Sequence, residues 1–332
     1  MADESAWRAA ARRWFLAHGV EANLAEDLTL ETTQLATLSS LPPCAGTIPP
    51  RTRRSTMLDK IIATFCILDD LLHILHHRND PQAKITDSEI LTIAILACQE
   101  FGGNMRKALQ WVEALHLFSF VPSESRFNRR LHCLMPLLHT LAPPLRAVWE
   151  ALQTCTDYAL DTFPMPVCEN IRANRCRIAP EKAFRGYRAS HRDYFHGVKV
   201  HLLVASGGFI VEFWLTPGSW HDLTGLYGMA LDIPRGCALM MDRGYTDYVA
   251  EDLLREVEGL EVYPVRRENS VRYEGGRQYL AVVKRRFVES VGSCLHRLLP
   301  RRVHAVTLDG FMLKLMCFVY AHNFNLLHKV AS

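Results

Sequence analysis

"HGVKVHLLVASGGFIVEFWLTPG", residues 196–218, carries two runs rich in Val, Ile, Leu and Phe on either side of Gly207-Gly208. Two such runs around a glycine pair read as an antiparallel β-hairpin, because glycine supplies the positive φ that a tight two-residue turn requires. Outward from the hairpin the pattern continues. "YALDTFPMPVC" (158–168) precedes it, and "CALMMD" (237–242) and "LEVYPVR" (260–266) follow. All are short, apolar and bounded by Gly or Pro, which is strand-like punctuation. Helical patterns lie between and after them: "HDLTGLYGMALD", "YVAEDLLREVEG" and "VVKRRFVESVGSCLHRLL". A hairpin followed by alternating strand and helix predicts an α/β fold with a mixed sheet and helices on its faces.

Two of these strands contain an acid where the pattern calls for an apolar residue. "CALMMDRGY" (237–245) runs through five buried-type residues straight into Asp242, and "YALDTFP" places Asp161 in the first strand. Asp242 can start a turn as a cap or act as a metal ligand. Thr246 and Asp247 are better placed to cap the helical stretch that follows. Asp157 is a rival to Asp161. A third acid, Glu289, follows Val288 on the helix after the fifth strand, beside an apolar seam that includes Leu295. Glu268 and Glu274 sit in loop-like sequence. Three carboxylates brought together in a partly dry site repel unless positive charge holds them ionised. Two divalent cations supply that charge, and hard oxygen donors suit Mg²⁺ or Mn²⁺. Such a pair clamps the attacking and leaving oxygens of an in-line phosphoryl displacement. An aspartyl-nucleophile phosphatase needs a second Asp two residues after the first, and Phe163 stands there.

The rest of the chain sets bounds on this reading. Its 332 residues fit one large domain or two smaller ones, and a net charge of +3 does not by itself call for a polyanionic partner. No apolar run reaches bilayer length; the nearest, "FMLKLMCFVYAHNFNLL", is interrupted by Lys314, His322 and two asparagines and reads as a packed helix. Ten scattered cysteines without a Cys-x-x-Cys pair read as reduced thiols. Cys168 and Cys176 lie close, and His191 and His196 follow at a spacing zinc sites can use, but the two cysteines are further apart than the usual zinc-binding pair, and reduced core thiols are the better reading. Residues 1–55 end in the linker-like "LPPCAGTIPPRTRRS" and read as an accessory extension, with Met57 as a second potential start. Residues 56–150 read as helical. A Thr86-x-x-Glu89 capping box opens one helix, Asn104 another, and Arg126, Arg129 and Arg130 mark the start of a third. This three-helix pattern suits either a helix-turn-helix DNA-binding region or an ordinary bundle. His73, His76 and His77 read as a helix surface, and Tyr245 as a packed side chain. Asp222, after His221, reads as a helix-starting residue.

The blocks "LDTFPMPVC", "GYRASHRDYFHGVKVHLLV", "LTPGSWHD", "MDRGY" and "RRFVES" together resemble the successive blocks of bacterial insertion-sequence transposases with an Asp-Asp-Glu triad, and most nearly those of the 982 family of insertion sequences. The resemblance runs from about Met57 to the C-terminus and is densest over 158–297. It implies a ribonuclease-H-like catalytic domain over 151–332, with Asp161, Asp242 and Glu289 as the catalytic and metal-binding triad and two Mg²⁺ or Mn²⁺ ions. It also implies a bacterial, cytoplasmic protein, associated with the nucleoid when bound, which holds terminal inverted repeats and target DNA as a dimer or larger assembly. Related enzymes often carry Tyr-x2-Arg-x3-Glu-x6-Lys around the glutamate. Arg285 and Glu289 fit that pattern, while Val282 and His296 depart from it.

Charge distribution points the same way. Residues 171–199 hold Arg172, Arg175, Arg177, Lys182, Arg185, Arg188, Arg192 and Lys199 against Glu181 and Asp193. Phe184, Tyr187, Tyr194 and Phe195 are interleaved with them. A basic segment with aromatics can hold phosphates and stack on bases. Lys284, Arg285 and Arg286 add charge beside Glu289.

Overall fold

The computed structural model describes residues 57–188, 192–284, 286–299, 303 and 305–330. The expected extension over 1–55 lies outside them, as do His191 and Arg285. Among the described residues, five helices come first: α1 (Met57–Ile74), α2 (Asp87–Glu100), α3 (Met105–Ala114), α4 (Glu124–Cys133) and α5 (Met135–Leu152). Their starts follow the sequence signals. The Thr86 hydroxyl accepts from the Glu89 amide at 3.2 Å while the Glu89 carboxylate accepts from the Thr86 amide at 2.7 Å. Asn104 accepts from the Lys107 amide at the start of α3.

The sheet then forms from β1 (Asp157–Cys168), β2 (Arg185–Arg188), β3 (Asp193–Ala205), β4 (Ile210–Pro217), β5 (Ala238–Met241) and β6 (Glu261–Pro264). β3 and β4 are the expected hairpin, with φ of +85° at Gly207 and +93° at Gly208. β3 pairs antiparallel with β1, β5 runs parallel to β1, and β6 runs parallel to β5. Sequence patterning indicated five strands; β2 is the sixth. It pairs with the first residues of β3, setting Tyr187 opposite Tyr194. Its "RGYR" has no apolar alternation to reveal it.

α6 (Asp222–Gly228) and α7 (Tyr248–Glu256) cover one face of the sheet. After α8 (Gly275–Lys284), α9 (Arg286–Leu298) and α10 (Leu308–Val330) cover the other. α10 is buried on nearly every side. Phe311, Leu315 and Val319 pack toward the sheet, whereas Leu313, Met316, Phe318, Phe324 and Leu327 enter the core formed by α1–α5. The core is therefore continuous across the junction between the helices and the sheet. The polar residues that interrupt this apolar stretch have specific partners. Asn323 bonds both the amide and the carbonyl of Ile210, at 3.0 and 2.9 Å, and His322 donates to the Gly208 carbonyl at 2.9 Å. The C-terminal helix thus grips the hairpin turn. Among the described residues, no helix is long and apolar enough to cross a membrane.

Candidate active site

β1 and β5 pair only from Asp157↔Ala238 to Leu160↔Met241. Beyond that the two strands part. β1 continues along β3, and β5 enters a 3-10 turn at Arg243–Tyr245. Asp161 and Asp242 are the first residues past the fork, one on each strand. Pro164 and Pro166 also lie in this stretch, where β1 has lost its neighbour on one edge and a missing amide costs little. The fork is where the chain switches from building one side of the sheet to building the other. In open α/β sheets, ligands bind at such points, beyond the carboxyl ends of the strands.

Strand alternation puts both acids on one face. Ala159 and Phe163 of β1 pack with Val288, Val291 and Leu295 of α9, as do Ala238 and Met240 of β5. Tyr158, Leu160, Leu239 and Met241 face the opposite way. Asp161 stands between Ala159 and Phe163, directly opposite Leu202 of the same core. Asp242 keeps extended backbone, with φ −72° and ψ 165°, and continues the phase of Met240. Both are half-buried. Asp242 precedes the 3-10 turn without making a side-chain capping bond to it. The cap of α7 is Asp247, whose carboxylate accepts from the amides of Val249 and Ala250 at 2.8 and 3.0 Å.

Glu289 lies in the first turn of α9, exposed, next to the buried Val288. Its helix packs on the face that carries the two aspartates. The three carboxylates do not form a closed cluster. Among the described residues, only Cys168, Cys176 and His196 bring three potential ligand atoms within 4.8 Å of one another. Like charges keep carboxylates apart when no cation lies between them. Asp157 stands at the opposite end of the paired segment, and its carboxylate accepts from Lys284 at 2.8 Å.

Directly behind the aspartates is a buried polar lattice that patterning along the sequence did not expose. Thr162, the neighbour of Asp161, faces His201 of β3, with its hydroxyl 3.0 Å from Nδ1. The Tyr245 hydroxyl bonds Thr162 and lies 2.6 Å from the same Nδ1. His201 Nε2 is 2.9 Å from the Thr216 hydroxyl of β4. Burial pushes the His201 imidazole down to about 4, so the ring is neutral. Burial also pushes the Tyr245 phenol far up, and the nearby charges of Asp222, Asp161 and Asp242 add to that. Asp222 bonds Lys199 at 2.9 Å and lies under the turn after Asp242. A side chain at Gly244 would place its Cβ 2.3 Å from the Asp222 carboxylate, which is why glycine stands in this turn. His221, rather than Asp222, is the N-cap of α6.

The basic residues fall into three groups. Arg172, Arg175, Lys182 and Arg185 are exposed on the excursion between β1 and β3, and the Arg185 guanidinium stacks 5.0 Å from the Tyr194 ring. Tyr187 and Tyr194 are exposed with ring centroids 5.0 Å apart. Arg188 is bound to Asp193, Nε to Oδ1 at 2.8 Å, while Arg192 is exposed. Near α9, Arg286 is exposed and Lys284 holds Asp157. On α4, Arg130 binds Asp87 at 2.8 Å, beside a recess that Arg126 also lines; Arg129 lines a separate groove with His132 and Lys314.

The sheet presents two carboxylates at its central fork, and the helix on that face carries a third, with Lys284 just before it bonded to Asp157 at the far end of the paired segment. Residues 153–300, just under half of the chain, match the family model described as the transposase DDE domain. That match spans β1 to the end of α9 and supports a DDE-type transposase, an enzyme of DNA transposition and mobile elements. No curated protein and no solved structure matches the chain.

Proposed function

We propose that this protein is a DNA transposase with a ribonuclease-H-like catalytic domain, related to the 982 family of insertion sequences. It binds terminal inverted repeats, cuts the strand to free a 3′-hydroxyl, and joins that hydroxyl to target DNA. The observation that carries the reading is the placement of Asp161 and Asp242 on one face, at the fork of β1 and β5, under the helix of Glu289. The strand order also suits this fold, with the first strand central between an antiparallel hairpin on one side and two parallel strands on the other.

The donor set is all carboxylate, which fits Mg²⁺ or Mn²⁺. Asp161, Asp242 and Glu289 would hold the ions between them. Bound there, the ions supply a nucleophile at neutral pH and charge for the oxygens of the displacement. The chain's own contribution is positional. The lattice behind β1 fixes the backbone that carries Asp161, and the Gly244–Asp222 contact fixes the turn after Asp242. Tyr245 is buried, hydrogen-bonded and held protonated, which argues against a covalent tyrosyl–DNA link and favours direct transesterification. The exposed arginines and the Tyr187–Tyr194 pair would hold phosphates and bases beside the fork. α1–α5 would engage the repeats, and a dimer or larger assembly would bring two ends together.

The deciding experiment incubates the purified protein with labelled end-repeat duplex, a target plasmid and Mg²⁺. Joined products that Asp242→Asn abolishes are the expected result. Cutting without joining would assign a nuclease instead, and full cutting by Asp242→Asn would refute the triad.

A further inference from the structure

The β1–β3 ladder changes register between Pro166 and Cys168. A bulge of this kind re-aims a side chain at the end of a pair. It sets Cys168 directly opposite His196. The chain then leaves the sheet, makes a 3-10 turn over Asn170–Arg175, and returns at Cys176. The sulfur atoms of Cys168 and Cys176 and a ring nitrogen of His196 all lie within 4.8 Å of one another. Tetrahedral zinc with two sulfurs and one nitrogen would hold such atoms at about 3.5–3.8 Å, from bond lengths of about 2.3 and 2.0 Å. A small inward movement of flexible side chains closes the set.

The second observation concerns the histidine. His196 is 5% exposed, and its Nε2 lies 2.8 Å from the Ala179 carbonyl. A carbonyl only accepts, so Nε2 carries the hydrogen and Nδ1 carries the lone pair. A ring N–H bonded to a backbone carbonyl, with the other nitrogen turned to the ion, is the usual arrangement of a metal-ligating histidine. Ala179 is itself fully buried, on the strip of chain that follows Cys176.

We propose that Cys168, Cys176 and His196 bind one Zn²⁺ ion through two thiolate sulfurs and Nδ1, with a water molecule as fourth ligand. Binding forms two zinc–sulfur bonds and one zinc–nitrogen bond, displaces all but one water from the hydrated zinc ion and releases the two thiol protons to solvent. Soft sulfur donors select zinc over the Mg²⁺ or Mn²⁺ expected at carboxylates. Zinc binds cysteine as the thiolate, so the ion supplies the charge that favours loss of each thiol proton. The ion ties the start of the basic excursion to its far side. Arg172 and Arg175 lie inside that loop, and Arg185 pairs across from His196 itself. The zinc therefore fixes the basic segment against the sheet while standing apart from the aspartates.

The test uses the full chain purified under reducing conditions without a histidine tag. Metal is measured by mass spectrometry of the elements after dialysis against a weak chelator. One zinc per chain is expected in the wild type and in Cys133→Ser, an exposed thiol elsewhere on the surface. Cys168→Ser and Cys176→Ser should each lose it. Cobalt exchanged into the wild type should give sulfur-to-metal charge-transfer bands and the intense visible bands of tetrahedral cobalt, a readout that does not depend on the variants folding. Substoichiometric zinc, an octahedral cobalt spectrum, or a Cys168–Cys176 disulfide in the non-reduced protein overturns the proposal. Because no step requires DNA cutting, its failure is separable from failure of the transposase reading.

Discussion

Asp161 and Thr162 are adjacent residues on one strand with opposite surroundings. Asp161 faces α9 and keeps its carboxylate half-exposed at the fork. Thr162 faces the other way, into hydroxyl and imidazole groups drawn from β3, β4 and the turn after β5. The period of two in a strand makes this possible: one backbone serves a charged surface on one side and a closed polar lattice on the other. The lesson is that the rigidity of the acids comes from behind. A group that must sit within about 0.5 Å of its working position needs a support whose own hydrogen bonds are satisfied.

That contrast can be broken from either side. Replacing an acid should remove chemistry and leave the fold. Asp161→Asn or Asp242→Asn should lower strand cutting by about a thousandfold or more, equivalent to roughly 4 kcal/mol of transition-state stabilisation. The urea midpoint of either variant should stay level or rise, because two like charges near the fork become one. Replacing the lattice should do the reverse. His201→Ala leaves Thr162, Tyr245 and Thr216 without their shared partner and should cost about 3 kcal/mol of unfolding free energy. Residual cutting in that variant should still depend on Mg²⁺.

Acid should distinguish the two sides more gently. His201 and His328 are both held down to about 4 by burial, from an ordinary 6.5. Above pH 6.5 the rings are neutral in both folded and unfolded chains, and nothing is lost. As pH falls from 6.5 toward 4 the unfolded chain binds protons that the folded chain refuses, so stability drops by up to about 1.4 kcal/mol per pH unit for each ring. Below about 4 the drop levels off. His201→Gln should flatten this slope by one ring's share in denaturant titrations run across that window. The smallest effect belongs to the basic excursion. Arg172→Ala and Arg175→Ala should each reduce the slope of log affinity against log salt by about 0.9 in duplex-binding anisotropy. Arg188→Ala should change it less, because Asp193 already holds that guanidinium.

Much of the sheet and the acids could be read directly from the chain. The hairpin announces itself through Gly207-Gly208 and alternation, and Asp161 and Asp242 stand out because each breaks an apolar run. What could not be read depends on atoms brought together from distant positions. His201 looks like one more polar residue on a strand until Thr162, Thr216 and Tyr245 close around it from other elements. Cys168, Cys176 and His196 lie near one another in the chain, and His191–His196 has a spacing zinc sites use, but the cysteine pair is wider than usual, and only the bulge and the loop bring its two sulfurs to His196. β2 has no apolar signature, because its partner supplies the pairing and its side chains face solvent. The two faces of α10 were equally hidden. Its sequence is apolar on most sides apart from Lys314, His322 and two asparagines, which says that it is buried but not that it belongs to two cores at once.

That double membership has a consequence for how the protein is made. α5 ends at Leu152 and α10 begins at Leu308, so more than 150 residues separate the early helices from the segment that completes their core. At a synthesis rate of about 5–20 residues per second, the gap lasts roughly 10–30 s. Throughout that interval the apolar sides of α2 and α5 stand open on the ribosome, a target for chaperones and for neighbouring nascent chains. The aspartates, the lattice and the hairpin are all in place before the helix that clasps them arrives. The helix translated after the sheet is thus the one that joins both cores, and slow or interrupted synthesis before it should show itself first as aggregation of the helical half.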